Sequence, residues 1–263
     1  DHAMANADKW PGSRDRLVEN VADDEWIGRE FKDVEDLLRC LNEPWDDGLA
    51  IIDRMLDQIT DVYLPKPVSR KRRARWDKDD GDEVCFDRLR SGQDYWRACR
   101  RQDVIGDQVI SVLVEIGGSS NRTHEEMLWR GASALCIAKI MEDAGYRVEL
   151  WSCSKARDAL VDGAANIAVC LKQAMQPLDI GSVICGVAPW FQRTIGFGCR
   201  RTADTMYIPN MGYAINLLEN DYRSYIPDGA REFIVRNVFT LRDSVDCIKS
   251  LLSGYAASLA TNQ

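Results

Sequence analysis

Long apolar runs and histidine are scarce in this chain of 263 residues. Its apolar stretches are shorter than the ~18 residues that a membrane-spanning helix needs. The nearest candidate, residues 104–116, is interrupted by Gly106, Asp107 and Ser111. The first eleven residues contain no apolar run of the kind that a secretory signal has. The sequence therefore predicts a protein without a membrane span or a secretory signal, and we expect it in the cytoplasm.

Only two histidines are present, and His2 lies in the opening DHAMA, which could be a vector remnant. Catalysis by a Ser/His or Cys/His pair would therefore depend on His124 alone. The nine cysteines are odd in number and contain no CxxC pair, which argues against a zinc ribbon. Several lie in apolar runs, as Cys136 and Cys170 do, where a thiol behaves as a small hydrophobe. We expect reduced thiols, no cofactor and no enzymatic activity.

Composition and periodicity divide the chain into three parts. Residues 1–63 form an N-terminal arm, in which helical spacing predicts a hairpin of two helices at 33–42 and 46–62. Residues 64–103 form a charged connecting segment, in which a basic block is followed at once by an acidic run. Residues 104–263 form the main domain.

The basic block of the connecting segment is a candidate nucleic-acid contact, although the net charge of −8 argues against broad binding of that kind. Basic side chains neutralise phosphates, and Trp76, Tyr95 and Trp96 downstream could stack on bases. The alternative interpretation is that the block pairs with the acidic run beside it. The block consists of Arg70, Lys71, Arg72, Arg73 and Arg75.

Residues 107–152 predict the strand–helix–strand unit that builds a parallel sheet. The segment 107–116 is dense in Val and Ile, Thr123 to Ala144 has helical spacing and ends at Gly145, and 146–152 is a second strand. Further along we expect strands at 164–176 and 230–240, helices at 179–188 and 244–257, and a loop at 191–205. The predicted fold class is α/β, a three-layer Rossmann-like sandwich with the N-terminal helices packed on it.

The stretch VISVLVEIGGSSNRTHEEMLWRGASALCIAKIMEDAGYRVELWS resembles the first half of a von Willebrand factor A domain. The hydrophobic strand, the long helix, Gly145-Tyr146 and the RVEL strand carry the resemblance, which covers about 50 residues clearly and about 155 in outline. The pattern is similar to uncharacterised domains of this type in phages and bacteria. It implies a binding protein whose partner meets the strand ends, in a host cytoplasm or a virion if the chain is phage-encoded.

The resemblance also implies an adhesion site in which a D-x-S-x-S loop, with a later Thr and Asp, holds Mg²⁺. Aligning that loop places Glu115, Gly117 and Ser119 on its three positions. Only Ser119 matches, so a degenerate site is expected, and Thr194 and Asp204 are candidates for the later positions. If a metal binds, Glu115 and Ser119 are its expected ligands.

The turn GGSSN after the strand has two further interpretations. It resembles a phosphate cradle at a helix N-terminus, but it lacks the Lys of the P-loop and the spacing of G-x-G-x-x-G. It also fits a tight turn with Ser and Asn caps. Because ligands of open parallel sheets bind outside the strands' carboxyl ends, we predict protein-partner binding by Glu115, Gly117, Gly118, Ser119 and Ser120.

Overall fold

The computed structural model describes residues 24–59, 64, 74–79, 83–99, 109–119, 121–157, 164–197 and 213–261. Three helices come first: α1 (Asp24–Ile27), α2 (Val34–Leu41) and α3 (Asp46–Asp57). The side chain of Asp33 accepts a hydrogen bond from the Asp36 amide and so begins α2. The two predicted helices are present, although α3 ends at Asp57, before the expected 62.

Residues 74–99 contain a three-stranded antiparallel sheet of order β1-β3-β2. Its elements are β1 (Ala74–Asp77), β2 (Glu83–Val84), α4 (Phe86–Arg90) and β3 (Trp96–Cys99). We call β1 to β3 with α4 the small sheet unit. The charge pattern predicts only a connecting segment here, because strands of two to four residues are too short to show a period of two.

The main sheet has the order β6-β5-β4-β8, and β4 runs parallel to both of its neighbours. Its strands are β4 (Val109–Glu115), β5 (Arg147–Arg157), β6 (Ala164–Lys172), β7 (Tyr213–Ala214) and β8 (Arg231–Val235). Strand β6 is antiparallel to β5, and the short β7 pairs with the end of β5. The α/β class and the unit β4–α5–β5 are confirmed, with a mixed sheet.

Helix α5 (His124–Asp143) lies at the centre of the structure, and thirteen of its twenty residues are buried. A helix that is buried on nearly all sides needs cover from several directions. The sheet, α3 and the C-terminal helix α9 (Leu241–Thr261) supply it. A capping box between Thr123 and Glu126 begins α5, and Gly145, with φ of 95°, follows its last turn.

The other face of the main sheet has a thinner cover among the described residues. Leu113 and Cys153 point to this face and pack against Leu217, Tyr222 and Ile226. These three residues belong to the segment 215–227, which contains the short helix α8 (Glu219–Tyr222) and which we call the cover segment. The predicted three-layer sandwich therefore has, within the described ranges, one full helical layer and one light layer.

Residues 180–197 differ most from expectation. In place of one helix and a loop, they form α6 (Ile180–Val183), a 3₁₀ helix (Ile184–Val187), α7 (Pro189–Phe191) and a π-helix (Gln192–Gly196). Most of this segment is buried, and Trp190 is fully so. The predicted loop at 191–205 is wrong for 191–197, because Phe31 and Trp45, which lie in the connections between the N-terminal helices, pack on Trp190 at its start. The rest of it lies outside the described residues.

Candidate functional site

The end of β4 and the loop after it form the candidate site. Strand β4 lies between β5 and β8, and its own connection leads to β5. The chain leaves the carboxyl end of β4 toward β5, on one side, whereas β8 pairs with β4 on the other side. The carboxyl end of β4 therefore resembles the switch point of a doubly wound sheet. We call Glu115 to Asn121, with Arg236 and Asn237 after β8, the strand-end face.

Arg130 of α5 supports the strand-end face through hydrogen bonds to its backbone. Its Nη1 donates to the carbonyl of Glu115 and, at 2.6 Å, to the carbonyl of Gly117. The guanidinium is buried and lies 5.1 Å from the ring centroid of Phe239 in the loop after β8. One side chain therefore joins the loop after β4 to the helix that follows it and to the loop after β8.

The carboxyl group of Glu115 lies on the opposite, thinly covered face of the sheet, which it shares with Leu113 two residues earlier. It is 4% exposed and accepts a hydrogen bond from the Leu217 amide. Burial raises the pKa of Glu115, and the nearby Arg130 and Arg236 partly offset that effect. Its Oε2 has no hydrogen-bond partner within the described ranges. Glu115 therefore fastens the cover segment and is largely withdrawn from solvent.

The packing around Gly117 explains why a glycine stands there. A Cβ on Gly117 would lie 2.9 Å from the Ser154 hydroxyl at the end of β5. That hydroxyl accepts a 2.9 Å hydrogen bond from Gln192 of the π-helix. Ser154, which Gln192 holds in place, thus occupies the space that a side chain at 117 would need.

The outer rim of the strand-end face is polar. Ser119 and Asn121 are exposed, and the amide of Asn121 donates to the Ser119 hydroxyl at 3.4 Å. Arg122 forms an ion pair of 2.8 Å with Glu126 and stacks on Phe239 at 3.9 Å. Ser120 lies outside the described residues. Of the predicted partner-binding residues, Ser119 is exposed and Gly118 is half-buried at the rim of this face. Gly117 and Glu115 are buried behind them.

Among the described residues that the adhesion-site resemblance selects, only Ser119 is exposed. Glu115 is buried on the far face, Gly117 has no oxygen in its side chain, and the Thr194 hydroxyl donates to the Trp190 carbonyl at 2.7 Å. Asp204 lies outside the described residues. Across the part of the chain that the structure describes, no group of three or more His, Cys, Asp or Glu could hold a metal ion.

Two other sequence candidates have definite places. Arg75 is in β1, paired with Ala98, whereas the rest of the basic block, Arg70 to Arg73, lies outside the described residues. His124 packs against Gly28, where an added Cβ would lie 2.6 Å from the His124 Cβ.

The residues that organise the strand-end face, Arg130, Ser154 and Gln192, are absent from the sequence-based candidates. The signal that could have found Arg130 is a charged residue within the apolar pattern of a buried helix.

None of the helices in the described ranges is long and apolar enough to pass through a membrane.

Comparison with known proteins identifies a family but no characterised relative. No curated protein and no solved structure matches the chain. A family model described as "Domain of unknown function (DUF7192)" matches residues 1–252, which include the N-terminal helices, the small sheet unit and the strand-end face. Because this match spans nearly the whole chain, the protein belongs to the DUF7192 family of domains of unknown function.

Proposed function

We propose that the chain is a non-enzymatic interaction protein whose strand-end face binds a protein partner. The observation that carries this proposal is the position of the loop after β4, at the open carboxyl end of the central strand. Ligands of open α/β sheets bind at such a place. Arg130 and Ser154 fix the loop from behind and leave Ser119 and Asn121 exposed in front.

The topology also supports a fold of the von Willebrand factor A type. If the four long strands are counted from β4, their order is 3-2-1-4, as in one half of a doubly wound sheet. A long helix after the first strand and Gly145 before the second agree with the resemblance in sequence. We favour partner binding without a metal, because Glu115 and Thr194 are buried and Gly117 has no side-chain oxygen, which leaves Ser119 as the one exposed candidate ligand among the described residues.

The proposal is tested by placing a photo-crosslinking residue at Ser119 and, as a matched control, at Met175, which is exposed in the turn after β6. In an extract of the native host, we expect one defined adduct from position 119 and none from 175. The partner is then purified, and its affinity is measured by calorimetry. Ser119→Arg should weaken binding at least tenfold, and chelation by EDTA should leave it unchanged.

Adducts that are equal at both positions, or absent from both, would contradict the proposed surface. Binding that needs Mg²⁺ and is lost in Ser119→Ala would contradict the metal-free form and indicate the adhesion-type site.

A further inference from the structure

The two edges of the main sheet differ in length and in charge. Strand β6 forms one edge with nine residues and pairs with β5, whereas β8 forms the other edge with five residues. Residues 164–171, AANIAVCL, contain no charged residue and no proline. Strand β8 begins with Arg231 and Glu232, and Arg236 follows it. The β8 edge is therefore short and charged, which protects an edge strand against pairing with a further strand, and the β6 edge is long and neutral.

The outer side of β6 presents backbone groups that the main sheet does not use. In an antiparallel ladder, alternate residues of a strand direct their N–H and C=O groups to one neighbour, and the residues between them direct theirs to the other side. Strand β6 has β5 on one side, and no strand among the described residues pairs with its other side. About half of its nine residues therefore offer an amide and a carbonyl to an added strand.

We propose that β6 pairs with β6 of a second copy of this chain, so that two main sheets join into one continuous sheet across a two-fold axis. An edge strand binds an added strand chiefly through its backbone. A two-fold axis perpendicular to the strands makes the pair antiparallel, and closed two-fold dimers are the commonest oligomers. This interface lies apart from the strand-end face and does not depend on what binds there.

Charge and sequence favour a second copy as the occupant of this edge. The net charge of −8 makes two copies repel each other, and a neutral strand lets them approach without a like-charge contact. If the axis passes at Ala168, the middle of β6, Val169 lies opposite Ile167 and Cys170 lies opposite Asn166. Each of these cross-strand pairs joins uncharged side chains, and pairs of apolar residues stabilise an antiparallel ladder.

Lys172, at the end of β6, does not protect this edge. An inward-pointing charge protects an edge when an added strand would bury that charge without a partner. Lys172 is already 2% exposed, forms an ion pair with Glu142 and donates to the Val148 carbonyl at 2.6 Å. Its charge is therefore compensated within its own chain. The paired span ends at Lys172, so Met175 in the following turn lies beyond it.

Sedimentation velocity of the full chain at about 1 and about 100 µM, with hydrogen exchange at both concentrations, tests the pairing. At the higher concentration we expect a species of twice 29.8 kDa and slower exchange of about half of the β6 amides. Ser119→Arg, which adds a charge on the strand-end face, should leave the dimer unchanged.

Two double variants form a matched pair that tests the antiparallel arrangement. Asn166→Lys with Cys170→Lys places like charges opposite each other twice across the axis, whereas Asn166→Glu with Cys170→Lys places opposite charges there. Both variants change the same two positions and remove the same amide group of Asn166. We expect the first to dimerise about tenfold more weakly than the second, because like charges directly opposite destabilise a strand pair.

A chain that stays monomeric at about 100 µM would overturn the proposal, as would a dimer in which β6 exchanges as fast as in the monomer. Equal dimerisation of the two double variants would also overturn it. Slower exchange in β6 that appears only in an extract of the native host would assign the edge to a strand of another protein. Because Ser119 lies outside β6, loss of partner binding in Ser119→Arg and loss of the dimer are separate results.

Discussion

Replacing Arg130 by methionine tests how the strand-end face is built. Methionine keeps the length and the apolar contacts of the arginine stem but removes the guanidinium. The change leaves the carbonyls of Glu115 and Gly117 without the donor that they share. We expect a less stable protein and a loop after β4 that no longer holds one position.

The size of the effect follows from these two contacts. A hydrogen bond to a charged group contributes about 1.5–3 kcal/mol, so two contribute about 3–6 kcal/mol. Part of this is offset because burying a guanidinium is itself costly, and we expect a net loss of about 3 kcal/mol. At about 2–4 °C per kcal/mol, the melting temperature should fall by roughly 6–12 °C.

Arg122→Met is the matched control, because Arg122 stacks on the same Phe239 ring but its side chain is 41% exposed and pairs with Glu126. An exposed pair of this kind contributes less than about 1 kcal/mol. Arg130→Lys should recover only part of the loss, since an ammonium group lacks the planar fork of the guanidinium.

The measurements are urea denaturation for the free energy of unfolding and hydrogen exchange of residues 115–119. If Arg130→Met loses no more stability than Arg122→Met, and exchange at 115–119 is unchanged, then Arg130 does not organise this face.

Three further predictions concern the same region and the edge of the sheet. Glu115→Gln should make the free energy of unfolding less dependent on pH. Because the pKa of Glu115 is raised in the folded protein, the wild type loses stability as pH rises above the ordinary pKa of 4.5. Urea titrations between pH 4 and 8 should therefore show the variant becoming more stable relative to the wild type as pH rises. A variant that is relatively weaker at pH 8 would contradict that sign. Gly117→Ala should lower the free energy of unfolding by about 1–3 kcal/mol through overpacking, and Ser154→Ala should restore part of it; no rescue in the double variant would refute the contact. Lys172→Met should cost about 3–5 kcal/mol, because Glu142 then lacks its buried partner, and adding Glu142→Gln should recover most of this in thermal melts; equal stability of the single and double variants would oppose the account.

Local sequence patterns predicted much of the main domain. Strand β4 begins and ends within two residues of its predicted bounds, and α5 within one, because a run of Val and Ile and a capped helical period are local signals. The location of the candidate site after β4 rests on the same local pattern together with a general rule about parallel sheets.

The predictions missed the features that depend on contacts between distant residues. Residues 191–197 contain Gly and Arg, which suggests a loop, yet they are largely buried, and Trp26 from the N-terminal segment packs on Arg193 and Phe197. The strands of the small sheet unit are stabilised by pairing between residues 12 to 25 positions apart, which no short window of neighbours shows. The neutral run of β6 is visible in the sequence, but its place at the edge of the main sheet is not.

The sequence by itself determined the order of the main strands and helices, the buried character of β4 and α5, and the charge contrast of residues 64–103. These follow from periodicity and composition, which any stretch of chain carries alone. Only the tertiary structure decided that Arg130 supports the loop after β4, that Ser154 takes the space beside Gly117, and that Glu115 turns toward the cover segment. Each of these depends on atoms that packing brings within a few ångströms from distant positions, and local spacing does not encode such distances.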